Sequence, residues 1–540
     1  MENHLLTVVF IVFFVLLSIV ITWWSSKRTS TTTDFYVAGR GIPWIQVGIA
    51  MVGSYLSAAS FLGCAGDIGV FGMDSIWLSV GFFGGYMALL LLIAGPLRNV
   101  GSYTVAGALH RRFPDDKVKL AVTTSTLVIS TFYLVPQMIG AGVIFYILLG
   151  WDFVYVTVAL GILMSAYIVF GGMKSTLYNQ VVQAVFLWVT MVIITVVAFF
   201  VVGNGSFDYI FNTASEVVPP IFAGKNPEVV SAITGLPADQ AIQTARQIMP
   251  ESKSAIDIGV KTGSTLAMIS TIIALVFGTA GLPHILVMFF TVKSAKAAKK
   301  SVTLCIVALG IFYLLAIFLG FLLFPAVYPQ LVEWISQGPT GVGLAKNMAV
   351  LEISEMIGGE WLMAIGAAGA VAAILSTAAG LMITVSSAIS HDIYKHYINP
   401  QANEKQEMNI AKVTTLVMAT VAIVLAIYLR DQNIAWLVML AFSIAASAIF
   451  PAMLATLWWK DVTRQAVIAS IFTGLVVSTI FIILLLNEVP TFLGLPTAGG
   501  PGVFGVTASF LVLYITSKFT TDTGHKVSEY LSIAHQHHED

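Results

Sequence analysis

Long apolar runs, each close to continuous, follow one another along the chain with only short polar segments between them. A helix on the surface of a soluble domain would show a polar stripe at every third or fourth residue. A run of about 20 residues without one predicts a helix that crosses a bilayer. Thirteen spans are expected, at residues 5–24, 43–71, 76–97, 120–149, 154–171, 180–202, 263–290, 302–324, 361–390, 411–429, 434–459, 466–486 and 503–516. Lys27 and Arg28 follow the first run instead of preceding it, which predicts a retained helix and not a secretory signal. Two polar intervals, 203–262 and 325–360, are long enough for surface helices or lids but lack the pattern of a separate domain.

Composition narrows the class. Of 540 residues, 58% are hydrophobic and 10% charged, and the mean hydropathy is +0.90. Soluble domains carry about 25% charged residues. A soluble enzyme, a disordered chain and a nucleic-acid binder are therefore excluded, and the surrounding partner is the lipid bilayer. Cys64 and Cys305 lie in separate apolar runs and suit packing, not a disulfide or a metal. Threading the chain through thirteen spans puts twenty of the 26 Lys and Arg on one side. Lys225, Arg246, Lys253, Lys261, Lys346 and Arg430 fall on the other. By the positive-inside rule this predicts a cell-membrane protein with its N-terminus outside and its C-terminus cytoplasmic. The C-terminal segment with His535, His537 and His538 reads as a disordered tail, with metal binding by its imidazoles as the alternative.

Within the expected spans, Asp67 is the one acidic residue and His284 the one histidine. Membrane enzymes and proton pumps place ionisable groups or metal ligands at depth, so both classes are disfavoured, with His284 the residue that keeps a proton or gating role open.

Two runs are interrupted in matching places. The second contains Gly53-Ser54-Tyr55-Leu56-Ser57-Ala58-Ala59-Ser60 and the seventh Gly278-Thr279-Ala280-Gly281-Leu282-Pro283-His284. Broken helices expose backbone carbonyls and amides that must line a cavity or bind something. Interruptions five helices apart predict a 5+5 inverted-repeat transporter; close helix packing by small residues is the plainer alternative. The ninth run adds the adjacent hydroxyls Ser376 and Thr377, suited to a hard cation held by oxygens, although such hydroxyls also bond back to their own helix.

Together these residues resemble a known family. The chain is similar to the sodium:solute symporters over almost its whole length, and most similar to the acetate/cation, short-chain monocarboxylate branch. The resemblance is carried by Asp34-Phe35-Tyr36-Val37-Ala38-Gly39, Ser57-Ala58-Ala59-Ser60-Phe61-Leu62-Gly63, Phe170-Gly171-Gly172-Met173, Phe277 through Leu286, Ser390-His391-Asp392 and Asn433-Ile434-Ala435-Trp436. It implies an all-α LeuT-type core with flanking helices and a sodium site made by the carbonyls of Gly53, Leu56 and Ala373 with the hydroxyls of Ser376 and Thr377. At a position where some sugar-transporting relatives carry an acid this chain has Gln180, and where acetate-branch relatives carry an arginine it has Met288.

The function so implied is sodium-coupled uptake of acetate, propionate or pyruvate by alternating access, with sodium as coupling ion and no other cofactor. Ser57, Ala58, Ser60, Gln137, Thr279 and Gly281 are the substrate-site candidates. The alternatives are proton coupling, another small solute such as an amino acid or sugar, a sensor, or a passive channel. The expected divisions are 1–42 (first helix and linker), 43–202 (first repeat), 203–262 (outer loop), 263–459 (second repeat, with the outer loop 325–360), 460–518 (two further helices) and 519–540 (tail).

Overall fold

The computed structural model describes residues 5–249, 253–257, 265–430, 434–487, 489–497, 500–522 and 527–536. Lys261, Asn433, Lys526, His537 and His538 lie outside them, as does the start of the seventh expected span. The described chain is helical almost throughout, apart from one short antiparallel pair, β1 (Thr491–Phe492) with β2 (Leu495–Pro496).

α1 (Leu5–Ser26) precedes a helix that breaks. Its first half is α2 (Trp44–Tyr55); the chain is extended at Leu56, and a π-helical turn (Ala59–Gly63) leads into α3 (Cys64–Phe71). Then follow α4 (Ile76–Ala88), α5 (Asp116–Leu149) and α6 (Phe153–Val201), the last bent where Gly172 takes a positive φ of 57°. The second broken helix is α7 (Thr265–Gly281) and α8 (Pro283–Leu286), separated by extended Leu282. α9 (Ala295–Ser336) and α10 (Pro339–Ser387) are the long helices of the second half, followed by α11 (Glu404–Tyr428), α12 (Ile434–Ala448), α13 (Phe450–Trp458), α14 (Arg464–Leu486) and α15 (Gly500–Phe519).

Among the described residues eleven helices are long and apolar enough to cross a membrane, against thirteen expected spans. The two expected spans that this measure does not separate hold the interrupted helix at Trp44–Tyr55, only 12 residues long, and the shorter apolar helix Phe153–Ala166. The interval 325–360, expected to hold surface helices or a lid, is helical: α9 runs on to Ser336, kinked at Val327 between Pro325 and Pro329, and α10 begins at Pro339 and bends at Gly359. The prolines bend the helix without ending it, because packing on neighbours supplies what the lost hydrogen bonds would have. Over 203–257 four short helices form: Phe207–Glu216, Pro220–Ala223, Pro227–Ile233 and Ala238–Ile248.

α10 packs on α5, α6 and α9 and is buried almost completely from Leu362 to Ser387. It runs from the face bearing Lys346 to the face bearing Lys395, and the latter is the basic one. At that basic face Arg112, itself buried, reaches the carbonyls of Ala455, Thr456, Trp459 and Lys460, so one guanidinium covers the orphan carbonyls at the end of α13. Burial pushes that guanidinium down to about 10, still charged at neutral pH. The tail is ordered in part, against expectation: Val527–Ala534 is helical, the Tyr530 hydroxyl donates to Ala108, and His535 Nε2 lies 2.8 Å from the Leu457 carbonyl with its ring against Trp458. Both cysteines are buried thiols that form no disulfide.

Candidate functional site

The two breaks and α10 meet. At the first, the helical ladder of α2 ends with Leu56 N–H on the Val52 carbonyl, so Gly53 and the next three residues keep carbonyls outside that ladder. Glycine is required at 53 because a methyl there would stand 2.5 Å from the Gln180 carbonyl oxygen and 3.0 Å from Ser376 Oγ. A methyl on Gly380 would likewise stand 2.8 Å from Ser54 Oγ and 3.1 Å from Gln180 Nε2. Four elements (α2, α6, α10 and, through His284, α8) thus converge on one small volume.

That volume is polar and unsatisfied. The hydroxyls of Ser54, Ser376 and Thr377, the Gln180 Oε1 atom and both ring nitrogens of His284 are buried without a hydrogen-bond partner, while Gln180 Nε2 donates to the Ser376 carbonyl at 3.1 Å. Buried polar atoms normally have partners. A group of oxygens left open in the membrane interior fits a small hard cation or ordered water. Of the five expected ion ligands, Gly53 and Ser376 are brought together, Thr377 is adjacent, Leu56 lies at the break, and Ala373 is one turn before Thr377 on the same helix face.

The substrate candidates separate into two groups. Gln137 is wholly buried with both amide atoms unpartnered, and Gly140, one turn on, faces Ala58: a methyl on Gly140 would sit 3.7 Å from Ala58 Cβ and 3.6 Å from Ile374 and Ile434. The Ser57 carbonyl accepts from Ser60 and Phe61, which leaves the amides of Ala58 and Ala59 at the open end of the second half-helix. The others are engaged elsewhere. Ser60 Oγ lies 3.1 Å from the Tyr313 hydroxyl, and Thr279 Oγ1 is 2.6 Å from the Tyr55 hydroxyl and donates to the Leu275 carbonyl at 2.7 Å. Gly281 has a packing reason, since a methyl there would meet the Ala445 carbonyl at 2.5 Å.

Sequence reasoning missed the aromatic side chains around the first break. Tyr55 packs edge-on against Tyr86 and Phe442, Phe82 edge-on against Phe442 and stacked on Tyr313, and Tyr133 edge-on against both Phe442 and His284, with centroids 4.8–6.0 Å apart. Their signal was weak because aromatic residues spread over five helices read as ordinary core.

Above and below, the two faces differ. On the basic face Asp392 is fully buried and held by Thr104 Oγ1 at 3.0 Å and Lys119 Nζ at 3.4 Å; beside it the Tyr36 hydroxyl meets Ser390 Oγ at 2.7 Å and His391 Nδ1 meets Glu407 at 2.8 Å. On the opposite face a cavity of about 710 Å³ opens, lined by Asp67, Phe71, Trp77, Thr271, Ala274 and Lys346. Ala274 is five residues, about 7.5 Å of helix, from Thr279.

A model of the sodium:solute symporter family matches residues 35–474. The chain is similar to the monocarboxylic acid transporter of Corynebacterium glutamicum, 38% identical over 457 residues, 84% of this chain and 78% of that one. It is 34% identical to the uncharacterized symporter YwcA of Bacillus subtilis over 498 residues, 91% and 89% of the two chains. Among solved structures it shares the fold of a Na+-coupled sialic acid symporter in a substrate-bound outward-open state, with a TM-score of 0.70 at 15% identity over 96% of this chain and 99% of that one. Inward-facing Mhp1 aligns with a TM-score of 0.50 at 13% identity over 91% and 95%. The likenesses show an all-α, LeuT-type membrane fold.

Proposed function

Since the chain belongs to the sodium:solute symporter family, as a multi-pass membrane transporter and not an enzyme, we propose that it couples sodium movement to uptake of short-chain monocarboxylates such as acetate, propionate and pyruvate. The observation that carries the ion half is the pair of buried, unpartnered hydroxyls at Ser376 and Thr377, set against the broken α2. Oxygens without a carboxylate suit sodium better than a carried proton. The monocarboxylate half is supported by the 38% identical relative named as a monocarboxylic acid transporter.

A carboxylate at this depth needs neutral donors, because an uncompensated buried charge costs several kcal/mol. The open amides of Ala58 and Ala59, the amide of Gln137 and the sodium ion supply them. The two five-helix units, 43–202 and 263–459, would then move against each other, with the twenty-charge face cytoplasmic. Labelled acetate taken up into proteoliposomes is expected to be displaced by excess propionate and pyruvate and not by proline or glucose. Saturable proline or glucose uptake, indifferent to the acids, would overturn the assignment.

Gly140 sets the size of the solute. The methyl of Gly140→Ala fits at ordinary contact distance from Ala58, Ile374 and Ile434, so the fold should tolerate it while the free space shrinks. The expected result is a KM for propionate raised about tenfold and for acetate by about twofold or less, one methylene in an apolar site being worth about 1–3 kcal/mol. Equal change for both acids would place the solute elsewhere.

A further inference from the structure

The cavity on the face away from Asp392 contains a charged device that the symport reading does not use. Lys346 Nζ lies 3.1 Å from Asp67 Oδ1 and 4.7 Å from the Phe71 ring centroid, with the lysine side chain 13% exposed and the aspartate 2%. Both residues line the cavity. They belong to different elements: Asp67 is on α3, the second half of the broken helix, and Lys346 is near the start of α10 before its bend at Gly359. The contact is close. Any side chain at Gly66 would run into the Lys346 carbonyl, which fixes the lysine backbone directly against α3 beside its partner aspartate. Just past the end of α3, in the 3-10 turn Gly72–Ser75, Met73 N–H donates to the Ala255 carbonyl at 2.6 Å.

Resting on the monocarboxylate reading above, the geometry points to the Asp67–Lys346 pair as a receiving site for the solute, at which an incoming carboxylate takes Lys346 and a sodium ion takes Asp67. The electrostatic argument is one of matching. A lone anion brought to the closed pair meets the charge of Asp67, and a lone cation meets that of Lys346. A sodium ion and a carboxylate arriving together split the pair into two new ones with no net charge left over. Phe71 and Trp77 give the acid an apolar wall for its short chain. Opening the pair also frees α3 from α10, so that occupancy of the cavity is linked to movement of the broken helix. Thr271 and Ala274 line the cavity from α7, the helix that also carries Thr279.

The test uses the full-length protein in proteoliposomes with Lys346→Met, Asp67→Asn and the double variant, the last removing both charges of the pair. Lys346→Met is expected to raise the KM for acetate about fivefold, and Asp67→Asn, which releases the lysine, to lower it by a similar factor at low sodium. The double variant should follow Lys346→Met while melting near the parent temperature. A pair that is only a strut would behave otherwise: both single variants would shift KM in the same direction or not at all, with uptake falling in step with melting temperature. That result would overturn the inference and leave the carboxylate reading standing. Wild-type protein that carries proline or glucose and no acid would remove the reading itself.

Discussion

Replacing Ser376 or Thr377 by alanine is expected to lower sodium stimulation of uptake by at least about tenfold while leaving the sodium-free protein no less stable, and both halves of that outcome follow from one observation. Each hydroxyl is buried and lacks a hydrogen-bond partner. An unmet buried donor or acceptor costs about 1–3 kcal/mol, so deleting it relieves strain in the empty site. In the occupied site the same oxygen would be an ion ligand, and its loss weakens sodium binding and, reciprocally, solute binding. Melting curves with and without sodium separate the two effects, since a ligand stabilises by RT ln(1 + [L]/Kd). The parent should melt higher in sodium than in choline, and the alanine variants should not. Variants that melt lower than the parent in choline and keep a full sodium response would mean that the hydroxyls serve the fold.

Gly53→Ala should be as damaging by another route. Its methyl would stand 2.5 Å from the Gln180 carbonyl, a backbone atom that moves only if α6 moves. Overpacking of this kind typically costs about 1–3 kcal/mol, which a membrane protein of this size survives. The geometry of the site does not survive it, because sites tolerate displacements of only about 0.5 Å. The sodium concentration for half-maximal uptake is therefore expected to rise about tenfold or more, with the protein still in the membrane. Unchanged sodium dependence would show that α2 and α6 do not jointly shape the ion site.

Much of this architecture was legible from local pattern. The two breaks fall at Leu56-Ser57 and Leu282-Pro283, where small residues and proline cannot sustain a continuous ladder. The interval 325–360 could be read only as surface helices or a lid, because hydropathy does not show that α9 passes Pro325 and Pro329 and ends at Ser336. Legibility failed most where the partner is distant in sequence. Nothing local marks Asp392 as the buried partner of Lys119 and Thr104, or Lys346 as that of Asp67. Those pairs exist because the fold brings charged residues from helix ends together, and hydropathy reports only that they are charged. Thr279 and Ser60 show the converse. They look like free hydroxyls near a break, and tertiary packing gives each of them a tyrosine.

Acetate accumulation in sealed proteoliposomes, with an inward gradient of sodium, potassium or protons imposed in turn at matched membrane potential, tests the central claim most directly. Sodium alone is expected to drive labelled acetate above the level reached in protein-free liposomes under the same gradient, where undissociated acetic acid alone follows the pH difference. Accumulation above that control driven by the proton gradient without sodium would contradict the account and move the coupling from Ser376 and Thr377 to His284.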